Sequence, residues 1–359
     1  RALRVLGEAQ VGDSGRSCGP KAAERGRLQK SSPSRVSDGV VIPFGVFVQH
    51  VDRPGDNGAP SPLRRLQYFL ELTKRMPASR AERVMLKELE RFREAVSKLP
   101  FSDGFVEEVK SGLARLGQAG SFGVFVRSDT NVEDLREFTG AGLNKTVPHR
   151  VGLNSVLAAI RKVWASPYTE RSYRWRQRVL VNPEYVFPSV ILHRTVPAEK
   201  SGVLVTADLE TGEQNAITIS AGEGVAAVVA GGAPQTVVLG DSGWQRLLSS
   251  CRAMTRKEIP RPPGEGVNVK PSLGRDPLLD DKDLNELGGL AREVMQKFPK
   301  RGSQAPWDIE WGLLEGKAWL MQIRPLKVSR AAATNPYLRS LDEGARMVET
   351  QLDLNVRLP

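Results

Sequence analysis

The sequence predicts an α+β protein, and three observations support that prediction. Apolar residues recur at helical spacing through much of residues 61–117. Short apolar runs typical of strands alternate with helical segments over residues 121–240. Residues 307–325 alternate polar and apolar positions on both sides of a turn, as an antiparallel hairpin does. We therefore expect an antiparallel sheet that carries this last hairpin, together with packed helices.

Local signals place the remaining elements along the chain. Residues 1–14 are expected to be poorly ordered, and VVIPFGVFV at 40–48 is predicted to be one strand. The helical stretch begins at Ser61-Pro62, a capping residue followed by proline at the first helical position. Residues 255–280 are predicted to be a Pro- and Gly-rich connector, and 328–359 a polar tail. Further strands are expected at SFGVFVRS, VFPSVILHRTV, SGVLVTAD, NAITIS and TVVLG, and helices at SVLAAIRKVWAS and 282–298.

Composition narrows the classes of partner. The 359 residues are 40% hydrophobic and 26% charged, as in globular proteins. A net charge of +11 and a pI near 9.8 favour anionic partners such as nucleotides, nucleic acid or an acidic polymer. The alternative is a basic, solvated surface. Nucleic acid ranks as unlikely, because the sequence has no continuous basic run and no RNA-binding or zinc-finger signature.

Cysteine usage and hydropathy indicate a cytoplasmic protein. Two cysteines, Cys18 and Cys251, form neither a disulfide framework nor a zinc site. No run of about 18 apolar residues is present, so no membrane span is expected. The chain opens with RALRVLGEAQ, which has neither an initiator Met nor the apolar core of a signal peptide. A part of a longer protein is consistent with that start.

The terminal hairpin carries paired polar side chains. Asp308 and Glu310 are two residues apart and therefore share one face of the first strand. A two-residue turn would place Glu310 opposite Met321. A three-residue turn around Gly316 would place Glu310 opposite Gln322, and it is the turn that we predict. It also brings Asp308 opposite Arg324.

That face suits a metal and a phosphate. Carboxylates hold a hard cation such as Mg²⁺, which takes its other ligands from water and substrate phosphates. The planar guanidinium of Arg324 matches phosphate oxygens. The alternative is an exposed ion pair of little consequence, worth about 0–1 kcal/mol, and spacing alone favours it.

Two further segments carry candidate residues. In VRSDTNVEDLREFTGAGLNKTV, an apolar strand delivers Arg127 and Ser128 at its end, followed by Glu133, Asp134 and the small residues 140–142. In CGPKAAERGRL, Lys21 lies at the expected start of a helix, where a lysine can meet a phosphate attracted by the helix N-terminus. Each is weak by itself, since capping or loop positions explain it equally well.

In this order, the motifs resemble the N-terminal ATP-grasp region of phosphoenolpyruvate synthase, pyruvate phosphate dikinase and the glucan water dikinases. The matching segments are GPKAA, VIPFGVF, VRSDTNVEDL with an Ala-Gly pair, SGVLVTADLETG, SAGEGVAAVVAGG and DIEW…QIRP. The resemblance covers roughly residues 15–327. It implies an ATP-grasp fold with an N-terminal α/β subdomain at 15–180, which includes the helical stretch, and an antiparallel C-terminal subdomain at 181–327. The nucleotide would lie between them.

The resemblance also implies roles for individual residues. ATP phosphates would be held by Lys21 and Arg127, with Ser128 beside them. Mg²⁺ would be bound by Glu310, Asp308 and Gln322. The remaining implied contacts are Gln322 and Arg324 with the nucleotide, Glu223 in the Gly-rich turn, and His193 in the adenine pocket, where the family often has Gln. Lys21, Arg127 and Arg324 are the residues for which catalytic roles are implied.

The implied chemistry is an ATP- and Mg²⁺-dependent dikinase-type phosphotransfer. In that family a histidine on a mobile carrier domain takes the β,γ-diphosphoryl group and leaves AMP. None of His50, His149 and His193 has the family's carrier setting, so the carrier is expected on a missing part of the chain or on another chain. The acceptor, pyruvate or a glucan, stays open. Two alternatives are a non-catalytic ATP-binding regulatory or interaction module and a basic protein that binds a polymer such as a glycan or nucleic acid.

Overall fold

Two antiparallel sheets, each covered by helices, organise the chain. The computed structural model describes residues 3–55, 58–118, 120–133, 143–180, 185–225, 234–250, 253–261, 264–272, 274, 277–298, 305–326, 335–337 and 340. Strands and helices are mixed along the sequence and the sheets are antiparallel, so the predicted α+β class is confirmed. Most of the expected tail, 328–359, lies outside the described residues.

The first sheet has five strands in the order β1-β2-β5-β3-β4. Its strands are β1 (Arg4–Val5), β2 (Gly39–Ile42), β3 (Val124–Thr130), β4 (Thr146–Arg150) and β5 (Pro188–Arg194). β5 pairs with both β2 and β3. The division expected at residue 180 is therefore wrong for β5, which belongs to the N-terminal sheet because its buried backbone groups find their partners there.

Helices cover one face of this sheet and build the larger core. They are α2 (Phe44–Val51), α3 (Pro62–Thr73), α4 (Ala78–Lys98), α5 (Asp103–Leu116), α6 (Leu153–Ala165) and α7 (Glu170–Val179). The start of α3 is as predicted, and the Ser61 hydroxyl accepts a 3.1 Å hydrogen bond from the Arg64 amide. The predicted strand 40–48 is wrong after residue 42. Pro43 ends β2, and a buried apolar run has no periodicity that separates helix from strand.

The second sheet has six strands in the order β13-β12-β6-β7-β8-β9. They are β6 (Lys200–Val205), β7 (Ala216–Glu223), β8 (Gln235–Gly240), β9 (Gln245–Ser249), β12 (Trp307–Leu314) and β13 (Lys317–Pro325). Helix α8 (Asp281–Lys297) begins at a capping box formed by Asp280 and Asp283. Its leucines pack on Ile309 and Trp311 in a second core.

A two-stranded ribbon forms where a plain connector was expected. β10 (Thr255–Glu258) and β11 (Asn268–Pro271) pair antiparallel. The loop between them reaches the first sheet, where Glu265 contacts Arg150 at 3.2 Å and the Gly266 amide donates to the His149 carbonyl at 2.9 Å. The ribbon thus links the two sheets at β4.

Helix α1 (Pro20–Ser31) links the sheets on another side. It packs on the first sheet through Ala22 and Ala23, and the guanidinium of Arg25 donates a 2.6 Å hydrogen bond to the Met321 carbonyl of β13. Residues 3–14, expected to be poorly ordered, instead supply β1 and two 3₁₀ turns. Their order follows from Leu6, which is fully buried against α1 and the sheet.

The terminal hairpin has the predicted pairing but not the predicted turn. Leu314 pairs with Lys317, so the turn has two residues, Glu315 and Gly316, with φ of 51° and 70°. Positive φ at both central residues is the requirement of a type I′ turn. A bulge at Met321 then shifts the register by one residue. The bulge, not a longer turn, brings Glu310 opposite Gln322 and Asp308 opposite Arg324.

Candidate functional site

Arg127 joins the two sheets at the centre of the candidate site. Its Nη2 atom donates hydrogen bonds of 3.1 Å to Oε2 of Glu310 and of 3.1 Å to Oε1 of Gln322. Both partners are on the terminal hairpin, 183 and 195 residues further along the chain. The side chains of Arg127 and Glu310 are 15% and 19% exposed. Three residues predicted from two separate motifs therefore meet in one partly buried cluster.

Strand alternation explains why these side chains face each other. On β3, Val124 and Val126 point into the helical core, so Arg127 points the opposite way, towards α1. On β12, Ile309 and Trp311 pack against α8, so Glu310 lies on the free polar face. The two polar faces meet at the cluster.

Ser128 does not join this cluster. It is one residue from Arg127 and therefore lies on the opposite face of β3, where it is 1% exposed and pairs with Val190 of the helical core. The period of two along a strand excludes adjacent residues from one site. The predicted contact of Ser128 with the nucleotide is not supported by this placement.

Asp308 and Arg324 form a second pair on the same face. Nε of Arg324 donates to Oδ2 of Asp308 at 2.7 Å, and the two residues are directly opposite in the ladder.

Burial by itself would raise the pKa of Glu310. The positive charges of Arg127, Lys21 and Arg324 outweigh burial and hold that pKa below its usual value, so the carboxylate is ionised at neutral pH.

Lys21 is brought to the same place by α1. It lines a small cavity together with Arg127 and Gln322. The helix does start at Pro20, as predicted. Its N-terminal amides, however, are taken by a buried carboxylate of β3: Asp129 accepts hydrogen bonds from the amides of Gly19 (2.8 Å) and Lys21 (3.0 Å). The expectation that this helix N-terminus attracts a phosphate is therefore wrong, because an aspartate already satisfies it.

A close approach at Gly19 makes that capping possible. A Cβ atom at Gly19 would lie 2.2 Å from Oδ1 of Asp129, a distance that no side chain tolerates. The hydroxyl of Ser189 donates to the other oxygen, Oδ2, at 2.9 Å. The absence of a side chain at Gly19 is therefore what allows α1 to dock onto the sheet.

Arg25 is a site residue that the sequence analysis missed. It is 2% exposed and lines the same cavity as Lys21 and Arg127. Burial, together with the charge of Arg127, lowers its pKa to about 9 while Glu310 opposes that shift. Its spacing from Ala22 places it on the buried side of α1, but the sequence shows no partner for it.

His193 is in the first sheet but is not open to a ligand. It is 3% exposed, and its ring stacks on Phe125 with Nδ1 3.3 Å from the Ser37 hydroxyl. Burial and the charges of Arg25 and Arg127 hold its pKa well below the usual value, so the ring is neutral. The expected adenine contact at His193 is not supported by this buried position under α1.

Glu223 is also apart from the cluster. Along β7 it shares a face with Ala221 and Ile219, which pack towards α8, whereas Glu310 lies on the other face of the sheet. Its carboxylate contacts Arg256 and Ser272 of the ribbon. The other residues predicted here, Asp134 and 140–142, lie outside the described residues.

The donor set of the hairpin fits a divalent cation that is completed by other ligands. Asp308, Glu310 and Gln322 present oxygen atoms on one face, the donor type that Mg²⁺ prefers. In the described part of the chain, no group of three His, Cys, Asp or Glu side chains could hold a metal by itself. A cation here would therefore depend on oxygens that a ligand supplies.

Among the described helices, none is long and apolar enough to cross a membrane.

Comparison with known proteins finds similar enzymes. A rifampicin phosphotransferase from a Streptomyces species is 30% identical over 312 residues, which cover 86% of this chain and 34% of the relative. A phosphoenolpyruvate synthase from Pyrococcus furiosus is 28% identical over 277 residues, covering 72% of this chain and 33% of the relative. The chain spans about a third of the length of these relatives.

Among solved structures, an L-amino acid ligase from Bacillus licheniformis aligns with 62% of this chain and 38% of its own, at a TM-score of 0.27 and 10% identity, a similarity too low to support an argument. The family model for the pyruvate phosphate dikinase AMP/ATP-binding domain matches residues 17–344, which include every residue of the cluster. This confirms the resemblance drawn from the motifs. The chain belongs to the family of the pyruvate phosphate dikinase AMP/ATP-binding domain.

Proposed function

We propose that this chain is the nucleotide-binding module of a dikinase-type phosphotransferase, and that it binds ATP with Mg²⁺ where the two sheets meet. The observation that supports this most is the contact of Arg127 with both Glu310 and Gln322. It places a fixed cation, a carboxylate and an amide together beside Lys21. Such a set matches the charges of a triphosphate and its cation.

The residues divide into two groups by chemistry. Lys21, Arg127 and Arg324 would neutralise phosphate oxygens, which is the main contribution a protein makes to phosphoryl transfer. Glu310, Asp308 and Gln322 would hold Mg²⁺. When held there, the cation would supply positive charge to offset the negative charge that develops on the phosphate oxygens. The charge of Arg127 helps to keep Glu310 ionised for that role, and Arg324 contacts Asp308 beside it.

The nucleophile is proposed to come from outside the described residues. All three histidines of the sequence are buried, each at 3% exposure, and so none can visit a second site. A carrier histidine would attack the β-phosphorus of ATP, forming an N–P bond. The bond from that phosphorus to the α,β-bridging oxygen breaks, and AMP leaves with the electron pair. The acceptor would then be recognised outside the described residues.

Binding measurements test the proposal directly. Isothermal titration of MgATP into the wild-type chain should show one saturable site, and Arg127→Met should weaken binding by about tenfold or more. Removing Mg²⁺ with a chelator should weaken binding to the wild type but have little further effect on Glu310→Gln. Arg194→Met is the matched control, because Arg194 ends the neighbouring strand β5 with its exposed side chain over Phe122. Failure of the wild-type chain to bind MgATP would overturn the proposal.

Turnover is tested separately. Labelled ATP should yield AMP only when a phosphohistidine carrier domain from a related synthase is added. Tight ATP binding with no AMP in the presence of several such carriers would instead favour a regulatory ATP-binding module.

A further inference from the structure

Lys21 is held at both ends by carboxylates of a single segment. Its backbone amide donates to Oδ1 of Asp129 at 3.0 Å, and its Nζ donates to Oε1 of Glu133 at 2.5 Å. Asp129 and Glu133 are four residues apart at the end of β3. Asp129 accounts for the position of the helix. Glu133, which the proposed chemistry does not use, determines where the ammonium group points.

The Glu133 carboxylate is held in place by a hydrogen bond and is shielded from solvent. Its second oxygen, Oε2, accepts a 3.2 Å hydrogen bond from the Thr130 amide, and its side chain is 1% exposed. A carboxylate this far from water is costly without a cation. Lys21, with a side chain that is 15% exposed, is the cation that the structure supplies.

The same ammonium belongs to the candidate nucleotide site. Lys21 lines the cavity with Arg127 and Gln322, and its charge acts on Glu310. A phosphate bound beside Arg127 and the Glu133 carboxylate would therefore compete for one ammonium group. A polyphosphate competes for this ammonium group better than a monophosphate does, because it carries more negative charge and charge-assisted hydrogen bonds strengthen with the charge on the acceptor.

We infer that Glu133 is a specificity-determining residue. Its carboxylate binds the Lys21 ammonium group until a bound polyphosphate takes the place of that carboxylate. The inference rests on the proposed binding of ATP at this site. In the unliganded chain Glu133 neutralises Lys21. ATP supplies enough negative charge to draw the ammonium away, and AMP does not, so Lys21 returns to Glu133 when AMP is formed. Glu133 thus lowers the affinity for ATP relative to that for AMP, because only ATP has to draw Lys21 away from it.

A double-mutant cycle tests this inference. The variants are Glu133→Gln, Lys21→Met and the double variant, and the readout is the ratio of the MgATP and AMP affinities by isothermal titration. Gln keeps the size of the side chain and removes its charge. We expect Glu133→Gln to raise MgATP affinity by about fivefold relative to AMP, the effect of about one kcal/mol. In the Lys21→Met background, the same substitution should leave the ratio unchanged.

Controls separate this effect from folding and from the proposed function. Glu94→Gln removes a negative charge from the exposed surface of α4 and should leave the ratio as in the wild type. Thermal unfolding verifies that each variant is folded. If the wild type binds neither nucleotide, the proposed function fails. If it binds ATP but Glu133→Gln changes the ratio equally in the wild-type and Lys21→Met backgrounds, or in neither, then only the inference about Glu133 is overturned.

Discussion

The guanidinium of Arg25 donates a hydrogen bond to the carbonyl oxygen of Met321 across 2.6 Å. Met321 is the bulged residue of β13, so its carbonyl is free of the regular ladder at the point where α1 passes. Nη2 of Arg25 also donates to the Ser37 hydroxyl at 2.7 Å. One buried arginine therefore fastens the helix that carries Lys21 to the hairpin that carries Glu310.

Replacing Arg25 should destabilise the junction of the two sheets. Arg25→Met leaves two acceptors without their donor, and we expect the free energy of unfolding to fall by about 2–4 kcal/mol. Urea unfolding measures this directly. Lys30→Met, on the exposed side of the same helix, is the control and should change stability by less than about 0.5 kcal/mol. Equal losses in the two variants would contradict the role assigned to Arg25.

Gly19 should tolerate no side chain. In Gly19→Ala the new Cβ would meet Asp129 Oδ1 at 2.2 Å and the Thr130 carbonyl oxygen at 2.6 Å. Both neighbours are buried, so α1 must shift, and we expect a loss of about 2 kcal/mol or more together with weaker MgATP binding. The comparison is Gly289→Ala in α8, where nothing lies within 4 Å of the new atom. That variant should gain about 0.5–1 kcal/mol from helix propensity.

Substitutions at the two positions of the turn should change the stability of the protein in opposite directions. Type I′ turns prefer Asn-Gly, so Glu315→Asn should raise the melting temperature. Gly316→Ala places a Cβ at φ 70° and should lower stability by about 1 kcal/mol. Thermal unfolding of the two variants measures both effects. A neutral Gly316→Ala would argue against this turn.

The contact between Arg35 and α8 should weaken in acid. Arg35 bonds Glu286 at 2.6 Å and Glu293 at 2.7 Å. Burial alone would raise the pKa of both carboxyls, but hydrogen bonds outweigh burial and lower both values below 4.5. The main donor is Arg35 at Glu286, whereas Lys297 and Ser32 come before Arg35 at Glu293. The unfolded chain therefore takes up these protons first as the pH falls. The stabilisation is complete above the ordinary pKa and is lost progressively below it.

Arg35→Met isolates that pH effect. At pH 7 we expect it to cost about 1–3 kcal/mol of unfolding free energy, since two charged partners lose their donor. Below the lowered pKa values the wild type loses the same interaction, so the difference between the two proteins should shrink. Urea unfolding at a series of pH values from 7 to about 3 measures it. A difference that does not change with pH would contradict the assignment.

Much of the site was predictable because the periodicity of a strand determines which of its side chains share a face. The alternation of Asp308 with Glu310 and of Gln322 with Arg324 sets their shared faces whatever the rest of the fold does. The pairing of the two strands was right, although the turn was not. A longer turn and a bulge both add one residue, and local sequence does not distinguish them.

What escaped prediction depends on contacts between distant segments. Arg25 is an ordinary residue of a helical sequence, and only the approach of β13 makes it a buried bridge. The ribbon of β10 and β11 was missed because its strands are largely exposed and show no apolar alternation. His193 has the chemistry of a ligand-binding residue, but its burial under α1 comes from packing that sequence spacing does not reveal.

The additional residue at Met321 has a consequence for changes in the length of this ribbon. Deleting Met321 would leave a regular ladder in which Gln322 still lies opposite Glu310 and Arg324 still lies opposite Asp308. The deletion would, however, remove the carbonyl oxygen that accepts the hydrogen bond from Arg25. The additional position therefore matters for the attachment of α1 rather than for the face that Gln322 and Arg324 share.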